Sequence, residues 1–189
     1  MSRSQDAPAL GIAIFCTLVV ASSHAALAIE SGPDAGAAVP ALKVHVLSDD
    51  DSYAENDVTA DRADKISVYA FVQATEWARP MARFLRGVDE LVTAAGNDAR
   101  MTAVWLTDDQ DQSRRYLPRG RNAMKLKATR FGVYGGDKNG PNDWNINAKA
   151  FITVVICRGG KVSKSVAYIS VNATDVPAVA EILKTKNKN

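Results

Sequence analysis

Hydrophobic positions along this chain change period several times, and each change predicts an element. Leu42, Val44 and Val46 alternate with Lys43, His45 and Leu47, which predicts a short half-buried strand. Residues 65–72 are apolar on both faces and rich in β-formers, so they predict a central strand. The period then becomes helical, with Trp77, Met81, Phe84, Leu85, Val88, Leu91 and Val92 on one face and Arg79, Arg83, Arg86 and Glu90 between them. Thr75 is the expected N-cap of this helix, and Gly96-Asn97 its stop. Residues 101–107 predict a second buried strand. A second helix is expected from about Asp109, with acids leading and Arg114 and Arg115 following, as the helix dipole favours. Pro118 and Gly120 should kink or split it. Residues 131–134 read as a short strand, 135–141 as a loop, and 150–157 as a long apolar strand. A turn at 158–161 returns the chain antiparallel through 162–171. A last helix is expected over 176–184, with Asp175 as cap and Pro177 in its first turn.

The order is strand, helix, strand, helix, hairpin, helix, behind a short N-terminal strand. It predicts an α/β fold with a mixed sheet, parallel where helices join the strands and antiparallel in the hairpin, with helices on both faces.

The chain ends modify this picture. Residues 1–28 hold a weakly basic start, a short apolar run and small residues ending in Ala26-Leu27-Ala28, the layout of a cleaved signal peptide. An exported protein, periplasmic or extracellular, is therefore expected. The alternative is an uncleaved N-terminal membrane anchor; after cleavage no integral span remains. Residues 29–40, rich in Ala, Gly and Pro, read as a flexible linker. The folded domain is expected over 41–185, and 186–189 form a basic tail.

Composition narrows the chemistry. The chain has 2 cysteines and 2 histidines, and beyond residue 28 only Cys157 and His45 remain. No intrachain disulfide and no Cys/His metal cluster can then form, so no metal or cofactor is expected. Acids dominate 29–64 and bases dominate 112–130. The basic run Arg114, Arg115, Arg119, Arg121, Lys125, Lys127 and Arg130 has little aromatic interleaving, so nucleic acid is not an expected partner. It reads as a solvated helix face or as a surface for an anionic polymer or headgroups. His45 has no G-x-S-x-G near it, which removes Ser/His/Asp hydrolysis.

The segment Phe71-Val72-Gln73-Ala74-Thr75-Glu76-Trp77-Ala78-Arg79-Pro80-Met81 resembles the F-x-A-x-W strand and W-C-x-P-C helix start of the thioredoxin-like superfamily. Downstream, Trp144-Asn145-Ile146, residues 152–156 and Gly160-Lys161-Val162 resemble the later block of the exported redoxin and peroxiredoxin-like branch. The resemblance covers roughly residues 40–185 and implies a thioredoxin-like sheet with an N-terminal strand extension. Trp77 and Pro80 fit the motif, but Ala78 and Met81 stand where that family has its two cysteines, and Ile152 stands at its cis-proline position. Redoxin chemistry needs a thiolate at a helix N-terminus and a resolving thiol, and neither residue supplies one. The resemblance thus implies no catalytic residue at the motif and a chain that is not a working thiol–disulfide oxidoreductase.

Two readings of the residues follow. Trp77, Arg79, Pro80, Met81, Phe151 and Ile152 should converge, either as a retained groove for a protein or peptide partner or as a cap on the core. Cys157 is either a small core residue or a lone reactive thiol. The second option leaves open a divergent thiol oxidoreductase that uses Cys157 or a partner's thiol.

Overall fold

The computed structural model describes residues 29–60, 62–96 and 98–185; the expected signal segment, the basic tail and the Asn97 half of the helix stop lie outside the described residues. Seven strands form one sheet: β1 (Lys43–Leu47), β2 (Tyr53–Asp57), β3 (Ser67–Gln73), β4 (Arg100–Leu106), β5 (Thr129–Val133), β6 (Ile152–Arg158) and β7 (Lys161–Tyr168). Three helices join them: α1 (Arg79–Ala95), α2 (Gln110–Met124) and α3 (Val176–Lys184). Across the sheet the order is β2-β1-β5-β4-β3-β6-β7. β3, β4 and β5 are parallel; β6, β7, β1 and β2 join antiparallel. The predicted mixed α/β sheet is present.

All three helices pack on one face, not two as expected. One core joins Met81, Phe84, Leu85, Val88 and Val92 of α1 with Leu117 of α2, Val179 of α3 and Ala70, Ala103, Phe131 and Val154 of the sheet. The reason is handedness. β3, β4 and β5 step across the sheet in one direction, and two successive right-handed crossovers place both helices on the same side. The opposite face is covered by chain outside the α-helices: Leu42, Val58 and Trp144, the last in a single 3-10 turn, pack with Tyr69, Phe71, Val104, Val155 and Cys157. Trp144 is fully buried there, its ring 5.1 Å from Tyr69 and 5.0 Å from Phe71, and its Nε1 donates to the Ala41 carbonyl at 3.2 Å.

Several local expectations are revised. The segment 29–40, expected to be a flexible linker, lies along the outer edge of β7. Gly36 N donates to Val162 O (2.8 Å), Val162 N to Ala37 O (2.9 Å) and Val39 N to Gly160 O (3.1 Å). This supplies partners to an edge strand that would otherwise offer open pairing groups. Gly32 makes the close approach possible: its φ is +93°, and a Cβ there would sit 2.6 Å from Ser165. β2 was not anticipated. It is polar and mostly exposed, so it carries no hydrophobic alternation and is held by pairing with β1.

α1 starts later than Thr75. Residues 74–76 form a single 3-10 turn, Ala78 is the N-cap, and Pro80 suits the first turn that follows. α2 runs unbroken through Pro118. Proline removes the donor that would reach the Arg114 carbonyl, and that carbonyl instead accepts from the Tyr53 hydroxyl at 3.0 Å. The Arg114 guanidinium lies 5.8 Å over the Tyr53 ring. Asp175 does not cap α3 with its side chain; it accepts from Asn172 N at 2.8 Å in the 3-10 turn before the helix.

Candidate functional site

β3 and β4 are parallel neighbours, and their carboxyl ends open into a cleft. This is where open α/β sheets place ligands, because the chain leaves adjacent strands in loops that diverge from the sheet. The cleft measures about 600 Å³. Its floor is aromatic. Trp77, just before α1, packs in a tilted contact on the buried Trp105 of β4, with ring centroids 4.9 Å apart and planes at 58°. Its indole Nε1 donates to the Tyr116 hydroxyl of α2 at 2.7 Å. Tyr116 is 42% exposed and is the one large hydrophobic side chain among the described residues that stands out in solvent. Phe151, half-buried before β6, closes the other side.

The rim is polar and of both signs. Lys138 reaches across the mouth to Asp108 at 2.5 Å, and that contact raises the lysine's affinity for its proton. Gln73 Nε2 donates to the Lys138 carbonyl at 3.2 Å, which ties the loop after β5 to the end of β3. Asp109 caps α2 by accepting from Gln112 N at 2.8 Å, the role expected of an acid at that helix start. Glu76 and Lys149 complete the lining. An aromatic floor with a mixed polar rim can take an apolar group and hydrogen-bond polar groups beside it.

The six residues expected to converge divide into three pairs. Trp77 and Phe151 line the cleft. Arg79 and Pro80 are exposed on the first turn of α1, outside its lining. Met81 and Ile152 are 2% and 0% exposed and belong to the helix-side core, so they offer no surface to a partner. A buried apolar side chain at helix position N3 and another at the first residue of a central strand are held by sheet packing.

Ala78, which the sequence resemblance sets against a redoxin's first cysteine, lies at the start of α1. It is exposed, with extended backbone (φ −148°, ψ 168°), at the N-cap of the 17-residue α1, and it makes no side-chain cap bond. The one cysteine among the described residues is elsewhere. Cys157 pairs with Ser67 at the start of β3, whereas the cleft lies beyond Gln73 at its end. Six residue steps of strand put the two roughly 20 Å apart. Cys157 is 3% exposed, and burial pushes its thiol up to about 12.

The basic run is largely engaged in structure. Arg121 holds the turn between β1 and β2, with a 2.6 Å bond to Asp51 and further contacts to the Ser48 and Asp49 carbonyls. Arg130 donates to Thr102 Oγ1 and to the Val58 carbonyl. Arg115, Arg119, Lys125 and Lys127 remain exposed. Among the described residues no three His, Cys, Asp or Glu side chains are grouped to hold a metal. No helix among them is long and apolar enough to cross a membrane.

Sequence reasoning missed Trp105, Thr107, Asp108, Gln112, Tyr116 and Lys138 as parts of one site. The usable signal was positional: residues directly after the two central strands, 74–77 and 107–109, are the ones that meet at the cleft.

No known protein-family model matches the sequence, and no curated protein matches it. Solved structures do match it in fold. A DsbF homologue from Corynebacterium diphtheriae aligns with TM-score 0.56 and 15% identity, covering 77% of this chain and 86% of that one. A peroxiredoxin-like protein from Aquifex aeolicus aligns with TM-score 0.54 and 14% identity, covering 83% and 92%. An exposed lipoprotein thioredoxin from Streptococcus pneumoniae aligns with TM-score 0.52 and 15% identity, covering 77% and 98%. The fold is thioredoxin-like.

Proposed function

We propose that this chain is an exported thioredoxin-like domain without thiol chemistry, which binds a protein or peptide segment in the cleft between Trp77, Tyr116 and Phe151. The observation that carries the reading is the placement of sulfur. The helix N-terminus that would activate a thiol carries Ala78. Cys157 is buried at the far end of the sheet, with its thiol held protonated. A nucleophilic thiol needs an accessible sulfur and a low pKa, and Cys157 has neither. Export is supported by the signal-like segment 1–28 and agrees with the exposed lipoprotein among the fold's neighbours.

The test is direct. Insulin reduction with dithiothreitol and consumption of hydrogen peroxide should both stay at the uncatalysed rate. Turnover that disappears in Cys157→Ser would overturn the reading in favour of a divergent oxidoreductase. For binding, a random peptide library panned on the protein should yield sequences whose retention falls about tenfold or more in Tyr116→Ala, the loss of an exposed aromatic anchor. Retention unchanged in that variant would remove the cleft as the binding surface.

A further inference from the structure

At the opposite end of the sheet from the cleft, four cationic side chains gather around a small hollow. Arg62, Lys65, Arg100 and Arg130 line about 370 Å³ together with Asn56, Asp57, Ala60 and Asp98. They come from three places in the chain: the loop before β3, the start of β4 and the start of β5. Among the described lining residues four cations face two carboxylates, an excess of positive charge, and the carboxylates are already engaged. Asp98 serves three of the cations, Lys65 at 2.7 Å, Arg62 at 3.2 Å and Arg100 at 3.5 Å. Asp57 turns its Oδ1 to Leu42 N (3.3 Å), Thr59 N (2.9 Å) and Thr59 Oγ1 (2.7 Å).

The cations differ in what they do. Arg62 is 8% exposed, and its donors are used within the fold. Nε bonds Ser67 Oγ at 3.0 Å, and Nη2 bonds the Ile66 and Asp98 carbonyls at 2.9 and 2.7 Å. Its role is structural. Arg130 is the anomaly. Its side chain lies across the sheet surface, with Nε on Thr102 Oγ1 at 3.1 Å and Nη2 on the Val58 carbonyl at 3.2 Å, and it is not among the partners of Asp98. β4 and β5 pair Thr102 with Arg130 in parallel register, and Arg100, two residues before Thr102, stands on the same face. Arg100 and Arg130 therefore project from one face at the mouth of the hollow. Burial lowers the Arg130 guanidinium's hold on its proton, and the positive charges of Arg100 and Arg62 lower it further. A half-buried guanidinium with like charges beside it and no ion pair to a carboxylate among the described residues is an unbalanced arrangement. An anion in the hollow would balance it.

We infer that the hollow between Lys65, Arg100 and Arg130 is a binding site for a phosphate or sulfate dianion, free or carried on a larger ligand. Its small, polar volume suits a tetrahedral oxyanion, which can accept from planar guanidinium groups and from an ammonium at once. The site is independent of the cleft and of the proposal made for it.

Isothermal titration of the full chain with inorganic phosphate, in buffers held at constant ionic strength with chloride, tests this. The expected result is saturable one-to-one binding. Arg100→Gln and Arg130→Gln should each weaken it about tenfold, the worth of one charge-assisted hydrogen bond. The cleft variant Lys138→Gln should leave it unchanged. Lys65→Gln, at a partly exposed position, serves if Arg130→Gln does not fold. A parallel sedimentation with vesicles containing phosphatidic acid, whose phosphomonoester can carry two charges, separates the sources. Vesicle binding lost in Arg100→Gln assigns the phosphate to a headgroup, and phosphate binding without vesicle binding assigns it to a soluble ligand. Absence of saturable binding to both, or binding indifferent to Arg100→Gln, Arg130→Gln and Lys65→Gln, would overturn the site.

Discussion

The helix start at Ala78 can be made to report on itself. Substituting Ala78→Cys puts a thiol at the N-cap of α1, where extended backbone lets a cap side chain reach the helix's free N–H groups. Pro80, at the second helical position, has no N–H, so the donor within reach is the amide of Met81. Two effects favour the thiolate. The helix dipole contributes about 0.3–1 kcal/mol at an exposed terminus. A hydrogen bond to a charged acceptor adds about 1.5–3 kcal/mol. At about 1.4 kcal/mol per decade of proton affinity, the sum lowers the thiol from about 8.5 to between about 5.5 and 7. Arg79 assists this and Glu76 opposes it, both across solvent. The measurement is the pH dependence of iodoacetamide alkylation, in a background carrying Cys16→Ser and Cys157→Ser. Ser170→Cys, at an exposed site outside any helix, is the reference. A half-maximal rate at or above the reference value would refute the placement of a helix N-terminus at residue 78. Adding Met81→Cys then puts a second thiol three residues on, within disulfide reach across one helical turn. The double variant should reduce insulin faster than the unsubstituted chain.

Two further outcomes follow from buried groups. Asp89 of α1, 3% exposed, accepts from Lys127 N (2.9 Å), Ala128 N (2.9 Å) and Thr129 Oγ1 (2.6 Å), which fastens the entry to β5 onto the helix. Asp89→Asn turns one acceptor into a donor facing another donor and should cost about 2–4 kcal/mol in urea unfolding; a loss under about 1 kcal/mol would contradict the clamp. For Cys157, burial raises the folded thiol from 9.0 to about 12, so the unfolded chain ionises first as pH rises. Its contribution is complete below about pH 9 and is lost toward pH 12 at about 1.4 kcal/mol per pH unit. Between pH 9 and 10.5 the unsubstituted protein should therefore lose about 2 kcal/mol more stability than Cys157→Ala. Tyr69 is likewise raised to about 12, chiefly by burial and in smaller part by Cys157, and it titrates in both proteins. Equal losses in the two would mean that the thiol ionises within the fold.

The sheet was legible in the sequence where burial imposes a period. β3, β4 and β6 are apolar at nearly every position because both faces are covered, and α1 carries its stripe on every third or fourth residue. What escaped was held by partners outside its own segment. β2 exists through its pairing with β1, and the strap 29–40 through hydrogen bonds to β7, more than 120 residues on. α2 survives Pro118 because Tyr53 supplies the missing donor. None of these leaves a local pattern. The cleft was half-legible for the same reason. Trp77 and Phe151 flank motif residues, while Trp105 and Tyr116 look like ordinary core and surface positions until β4 and α2 bring them to Trp77.

Met81 and Ile152 sharpen the proposed loss of redox chemistry. On that reading both halves of a catalytic surface changed, and the present packing gives a physical reason for the change to persist. The two side chains lie in the same core as Trp105, Val72 and Leu85, with Trp77 and Phe151 packed against it. Each fills space that a smaller residue would leave empty. Truncating a buried methionine to the size of cysteine removes carbon that already packs against the helix and sheet, at roughly 1–3 kcal/mol. A return to a two-cysteine site would therefore weaken the core that now supports Trp77. The wall of the cleft and the absence of the second thiol are set by the same packing. On the proposed reading, binding in the cleft and reduction through position 81 would thus compete for one set of contacts.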